Sequence, residues 1–267
     1  MVSFIDCHLS LRRCSPFNGG KFEGWGTSFC WWPNRIGYLD ELSEQAAKLF
    51  FDPKEGLGLN IIRYNIGGGD DPTHHHITRT DSMVPGYAIN PSHDANGYHW
   101  SYDWNADQNQ RNVLMKVAEC YGKDLIVEGF SNSPPYFMTN SGCSSGSVNA
   151  GENNLREDAY GAFASYLADV AQHFSKEWGI HFQSMTAMNE PDTEYWHALS
   201  DKQEGCHFDP GESQSVMIIA LREALDERGL NDILISGTDE TGIDCQINSI
   251  NSLSEVARET IARIDTH

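Results

Sequence analysis

The sequence predicts an α/β fold built on parallel strands, a (β/α)8 barrel represented by an incomplete N-terminal portion of about five to six strands. Three observations predict it. Apolar residues alternate between helical and strand spacing, a glycine follows each clear helix, and the long connections all fall on one side of the pattern. A chain of 267 residues with 39% hydrophobic and 21% charged residues has globular composition and length enough for such a fold.

The elements follow in order. Phe22 to Phe29 reads as the first strand, with a helix around Leu42 to Phe50 and a second strand from Leu59 to Ile66. Leu114, Val117, Ala118 and Tyr121 share a helical face that ends at Gly122, and Leu125-Ile126-Val127 begins the third strand. Tyr160, Phe163, Leu167, Val170 and Phe174 step by three and four toward Gly179, ahead of a strand from Phe182 to Met188. Ile218, Leu221 and Leu225 repeat the pattern to Gly229, and Ile233-Leu234-Ile235 opens the fifth strand. Glycine suits these positions because the residue past a helix end often takes φ > 0. Arg263 to His267 opens a sixth strand, so the 267 residues are expected to stop short of the eight that close a barrel. Residues 22–267 form the partial barrel, and residues 1–21 stand apart as an N-terminal segment.

Helix-to-strand links are short. Strand-to-helix links are long, running from Gly67 to about Trp104, from Ser131 to about Arg156 and from Pro191 to about Gly211. Such elaboration belongs to the carboxyl ends of the strands, where α/β folds hold their sites. No G-x-G-x-x-G opens a helix after the first strand, and Gly67-Gly68-Gly69 lacks the Lys and Ser/Thr of a phosphate loop. Nucleotide and dinucleotide binding are set aside on that ground. The net charge of −20 (18 Lys plus Arg against 38 Asp plus Glu) repels phosphate backbones, so nucleic acid is not an expected partner. No apolar run approaches the roughly 18 residues of a membrane span. Met1 to Arg13 lacks the apolar stretch of a secretory leader, which leaves localisation unassigned. The seven cysteines (7, 14, 30, 120, 143, 206 and 245) contain no C-x-x-C pair, against a zinc ribbon or a complete disulfide framework.

Asn189-Glu190-Pro191 is the sharpest local feature, a carboxylate where a strand passes into a loop. Such a Glu protonates a leaving group if burial and neighbouring charge raise its pKa, or else simply caps backbone N–H groups. Arg63 interrupts the apolar strand Ile61-Ile62-Arg63-Tyr64 and must be paired or reach a polar cavity. Asn132 either orients a substrate or bonds the Ser133-Pro134-Pro135 turn. The long loops are rich in aromatics, among them Trp31, Trp32, Trp104 and Trp196, whose faces suit the CH faces of sugars. His74-His75-His76 sits in a loop where adjacent residues seldom converge, with no flanking Glu or Cys to complete a set. No metal or cofactor is expected, and the histidines read as solvated loop or substrate contact.

Four blocks in order resemble glycoside hydrolase family 30, within the clan A retaining glycosidases. They are Gly24-Trp25-Gly26-Thr27-Ser28 with Trp31-Trp32, Arg63 to Gly69, Phe130-Ser131-Asn132-Ser133-Pro134-Pro135-Tyr136-Phe137-Met138-Thr139, and Met188-Asn189-Glu190-Pro191. The first block is most similar to the endo-β-1,6-galactanases of that family. The resemblance implies an O-glycosyl hydrolase acting on a β-linked polysaccharide, foremost β-1,6-galactan, by a retaining double displacement. It makes Glu190 the acid/base, Asn189 the contact to the sugar 2-hydroxyl and Arg63 the arginine near the nucleophile. Trp25, Trp32, Asn132, Trp104 and His267 complete the expected substrate contacts. The family's nucleophile is a Glu at the end of the seventh strand, with no counterpart in this chain. The resemblance also makes residues 1–21 a candidate part of the family's side β-domain, and implies an extracellular setting.

Two carboxyl groups about 5–5.5 Å apart are needed for retention. Glu128 lies within the third strand and Asp239 and Glu240 close the fifth; by position alone Glu240 is the best stand-in within the chain, but it reads first as an ion-pair partner or backbone cap near Arg63. The alternatives are a catalytically incomplete carbohydrate-binding fragment, a structural or metal-binding barrel using the His cluster, and a xylanase- or glucosylceramidase-like member of the same family.

Overall fold

The computed structural model describes residues 22–74 and 76–267, so the N-terminal segment, Cys7, Cys14 and His75 lie outside the described residues. Six parallel strands form one sheet, β1 (Gly26–Ser28), β2 (Ile61–Asn65), β5 (Ile126–Phe130), β6 (Ser184–Thr186), β7 (Leu234–Glu240) and β8 (Ile261–Thr266), ordered as they occur in the chain. Consecutive parallel order with helical crossovers is three-quarters of a (β/α)8 barrel. The crossovers are α1 (Trp32–Ile36) and α2 (Asp40–Phe51), α3 (Gln108–Tyr121), α4 (Tyr160–Glu177), α5 (Glu212–Glu227), and the pair α6 (Ile243–Ser252) and α7 (Glu255–Thr260). Arg263 on β8 bonds Glu23, just ahead of β1, so the sheet curls until its two edge strands face each other.

The helix ends fall where the glycines stand: Gly122, Gly179 and Gly229 all have φ near +70°. Strand β6 is shorter than its apolar run. At the carboxyl end Met188 N turns back to Thr186 Oγ1 at 3.3 Å, which takes that end out of the ladder, while Gln183 ahead of the strand still bonds Val127 O and Leu234 N through its backbone. The loop after β2 holds an antiparallel hairpin that periodicity alone overlooks, β3 (Ala88–Asp94) and β4 (Gly97–Tyr102). Its signal was Asn96-Gly97 before the alternating Tyr98, Trp100 and Tyr102.

The core lies between the outer sheet face and the helices. Tyr64 and Phe182 point outward from the sheet region onto Phe174 of α4, with ring centroids 5.1 Å apart in each case. All three side chains are fully buried. Fully burying an apolar side chain of this size contributes roughly 1.5–3 kcal/mol, so this cluster is a main anchor of α4 to the sheet. The inner face is different. Arg63, Glu128, Ser184, Arg263 and Asp265 line a hollow of about 310 Å³ where a closed barrel has packed side chains. Burial first, and then the Glu128 charge, push the Asp265 carboxyl up to about 7.

Candidate active site

A cleft of about 610 Å³ opens at the carboxyl ends of the strands and is lined by Trp31, Arg63, Asn132, Asn189, Glu190 and His267, among others. Its organising residue is Arg63. The guanidinium lies 3.5 Å over the Phe130 ring, donates to Asn189 Oδ1 at 3.2 Å from both terminal nitrogens, and donates to Asp239 and, at 3.3 Å, to Glu128 Oε1. A charge inside an apolar strand is tolerated because it is paired on three sides. Holding Asn189 by its oxygen leaves that amide's N–H donors for the cleft.

Glu190 takes φ +48° and Asp239 φ +64°, two non-glycine residues in the left-handed region, joined by the Glu190 N–H to Asp239 O bond of 2.8 Å. Residues held there mark sites where the surroundings over-determine the backbone. The Glu190 carboxylate accepts from Tyr195 Oη at 2.6 Å and pairs with His267 Nδ1 at 2.7 Å. Burial pushes its pKa up, but the His267 and Tyr195 hydrogen bonds outweigh burial and the net displacement is downward. His267 is raised to about 9, first by its bond to Asp239 and then by Glu190, so the ring is cationic at neutral pH.

Five of the residues expected at the site meet in this cleft: Glu190, Asn189, Arg63, Asn132 and His267. Asn132 faces it because the Ser133-Pro134-Pro135 turn is held instead by Ser131 Oγ, 2.9 Å from both Ile66 O and Ser133 O. Three tryptophans lie elsewhere. Trp25 precedes β1, at the opposite end of the sheet, and is largely exposed beside Phe22. Trp32 packs edge-on to Phe29 and Phe50, under α1 and α2. Trp104 stacks flat on His173 of α4 at 3.7 Å and on Tyr102 at 4.5 Å. The periodic pattern puts each of these in or near a loop, but only the fold tells which way a loop residue turns. The aromatic walls of the cleft are Trp31, Tyr195 and Trp196.

Glu240 is fully buried away from the cleft. It accepts from Asp192 N at 3.1 Å, Gln214 Nε2 at 3.1 Å and Ser249 Oγ at 2.6 Å, which makes it a backbone and side-chain cap. Asp239, its neighbour, takes the arginine. Glu128 lies deeper in the barrel, accepting from Ser184 and Ser236 as well as Arg63. Tyr195 was missed by motif reading, although it sits in the loop that Glu190 opens, and Asp239, legible as one of two carboxylates closing the fifth strand, was passed over for Glu240. Glu204 was missed as well. Fully buried, it accepts from the N–H groups of Gly68 and Gly69 at 3.0 and 3.1 Å, and burial raises its carboxyl well above the usual range. A Cβ on Gly68 would lie 2.4 Å from Pro134 O, so the triple glycine serves close packing against the next loop.

Residues 21–251 match the family model described as O-glycosyl hydrolase family 30. The chain belongs to glycoside hydrolase family 30. It is 37% identical over 269 residues to an endo-beta-1,6-galactanase of Hypocrea rufa, covering 94% of this chain and 53% of that protein. Among solved structures it superposes on a conserved exported protein from Bacteroides fragilis with a TM-score of 0.70 and 26% identity, over 82% of this chain and 44% of the other. The catalytic domain of the GH30 xylanase C from Talaromyces cellulolyticus shares the fold at a TM-score of 0.67 and 18% identity, over 91% and 52%. The family 30 chain described here thus spans about half the length of the proteins it matches.

Proposed function

We propose that this family 30 chain carries the acid/base half of a retaining endo-β-1,6-galactanase, with Glu190 as the acid/base. The observation that carries the reading is Glu190 at the end of the fourth barrel strand, facing a 610 Å³ cleft beside Asn189, Arg63 and Asn132. The 37% identity to an endo-beta-1,6-galactanase supports the substrate class. Trp31, Tyr195 and Trp196 offer apolar faces to sugar rings, and Asn132 and Asn189 offer amides to hydroxyls.

In the reaction the nucleophile is a second Glu on the seventh barrel strand, outside these 267 residues, about 5–5.5 Å from Glu190. Its carboxylate attacks the anomeric carbon while the Glu190 proton passes to the departing glycosidic oxygen, and the C–O bond breaks. Glu190, now ionised, takes a proton from water as that water displaces the enzyme carboxylate and restores the anomeric configuration. The His267 and Tyr195 hydrogen bonds, with the His267 and Arg63 charges, hold Glu190 ionised. A second carboxylate at the required spacing raises its pKa by like-charge repulsion, the condition for a general acid near neutral pH.

The test is digestion of β-1,6-galactan by the full natural reading frame, with NMR of the first-formed anomer. Retention is expected, and an inverted first product would remove the mechanism. Glu190→Gln should slow galactan hydrolysis by about 10²–10⁴-fold. Aryl glycosides with good leaving groups should lose less in their first step, and azide should rescue turnover. Unchanged galactan hydrolysis by the variant would refute Glu190 as acid/base, and turnover of xylan but not galactan would reassign the substrate.

A further inference from the structure

We propose that His74, His76 and Cys143, with Asp70 beside them, form a zinc site that clips the loop after β2 to the loop after β5. One ligand atom from each of the three lies within 4.8 Å of the others. The cysteine comes from 69 residues away in sequence, so the missing member of the histidine set is supplied by the fold.

One distance fits a shared ion. Cys143 Sγ lies 3.6 Å from His74 Nδ1. Tetrahedral zinc with Zn–S about 2.3 Å and Zn–N about 2.0–2.1 Å places such a pair about 3.5–3.6 Å apart. His76 Nδ1 lies 3.1 Å from Asp70 Oδ2, so a carboxylate stands against one member of the set without joining it.

The second observation is the hydrogen-bond state of His76. Ser145 Oγ donates its one proton to His197 O at 3.0 Å. With its proton on that carbonyl, Ser145 Oγ accepts from His76 Nε2, also at 3.0 Å, in the neutral tautomer that carries its ring proton on Nε2. The lone pair of Nδ1 then faces a carboxylate oxygen. Both His76 Nδ1 and Asp70 Oδ2 are buried without a hydrogen-bond partner, and the His76 side chain is only 7% exposed. Two buried acceptors face to face repel unless a cation lies between them. A proton would relieve that pair alone. A metal also accounts for the thiol and His74 converging on the same place. An outer partner fixing a histidine through its second nitrogen is the usual support of a metal ligand, and a thiolate and imidazole set selects zinc over magnesium or calcium.

The clip bears on the cleft. Ser145, which orients His76, binds the carbonyl of His197, next to the cleft-wall residue Trp196. The site stands independently of the glycosidase reading.

The test uses the full natural reading frame, stripped with chelator and titrated with Zn²⁺ and Co²⁺ alone. One equivalent should bind, and the cobalt form should show a thiolate-to-cobalt charge-transfer band with tetrahedral ligand-field bands. Cys143→Ser should abolish the charge-transfer band, and Ser145→Ala, which touches no metal, should weaken binding about 10–100-fold. No stoichiometric uptake by the wild type would overturn the site, as would equal affinity in Cys143→Ser and His76→Ala. If the variants fail to fold, the wild-type cobalt spectrum decides, since a site without the thiolate lacks the charge-transfer band.

Discussion

His267 Nδ1 sits 2.7 Å from Glu190 Oε1, and its other ring nitrogen is 3.4 Å from Asp239 Oδ1. A single imidazole at the end of the sixth barrel strand thus links carboxylates from the ends of the fourth and fifth. Its charge sets the state of Glu190. In an NMR titration the His267 ring should titrate at about 9, and Asp239→Asn should bring it down toward 6.5. A wild-type His267 titrating near 6.5 would show that the two carboxylates do not hold it.

The same shift fixes a sign for stability. His267 is raised in the folded state, so its contribution is complete below about 6.5 and is lost as pH rises through about 9. Asp265 is raised to about 7, so its contribution is complete below about 4 and is lost as pH rises through about 7. Asp265→Asn should therefore flatten the fall of Tm between about pH 4 and 7 while leaving the fall between 6.5 and 9. Melts of the two proteins across pH check this, and parallel curves would remove Asp265 as the source.

Two tryptophans should separate binding from folding. Trp31 lines the cleft, so Trp31→Ala should raise KM for the glycan with little change in Tm. Trp104 is stacked on His173 and Tyr102 away from it. Trp104→Ala should lower stability by on the order of 2–4 kcal/mol and leave KM unchanged. Reversed outcomes would mean that the cleft has been placed on the wrong aromatics.

Gly205 carries the position of Trp196. A Cβ there would lie 2.1 Å from Trp196 Cε3, so Gly205→Ala must displace the indole from the cleft wall. The expected result is a loss of about 1–3 kcal/mol of stability together with a higher KM. A variant with wild-type KM would show that Trp196 makes no sugar contact.

The sequence by itself determined the parallel α/β pattern, the side on which the cleft opens, and Glu190, Asn189 and Arg63 as residues that line it. Each of these depends on local information. The period of apolar residues sets element type, glycines at φ near +70° mark helix ends, and a strand's carboxyl end is the site end whatever its neighbours are. Asn96-Gly97 was legible too, as a hairpin turn. Only the tertiary structure decided which of Asp239 and Glu240 meets Arg63, because Asp239 is the extra residue of a β-bulge, held at positive φ between the pairings of Thr238 and Glu240, and a bulge re-aims a side chain. It likewise chose Trp31 over Trp32, and turned Trp104 into helix packing. It also brought Cys143 to His74 across 69 residues. Convergence of side chains from separate loops depends on how several strands pack at once, and no spacing within one loop encodes it.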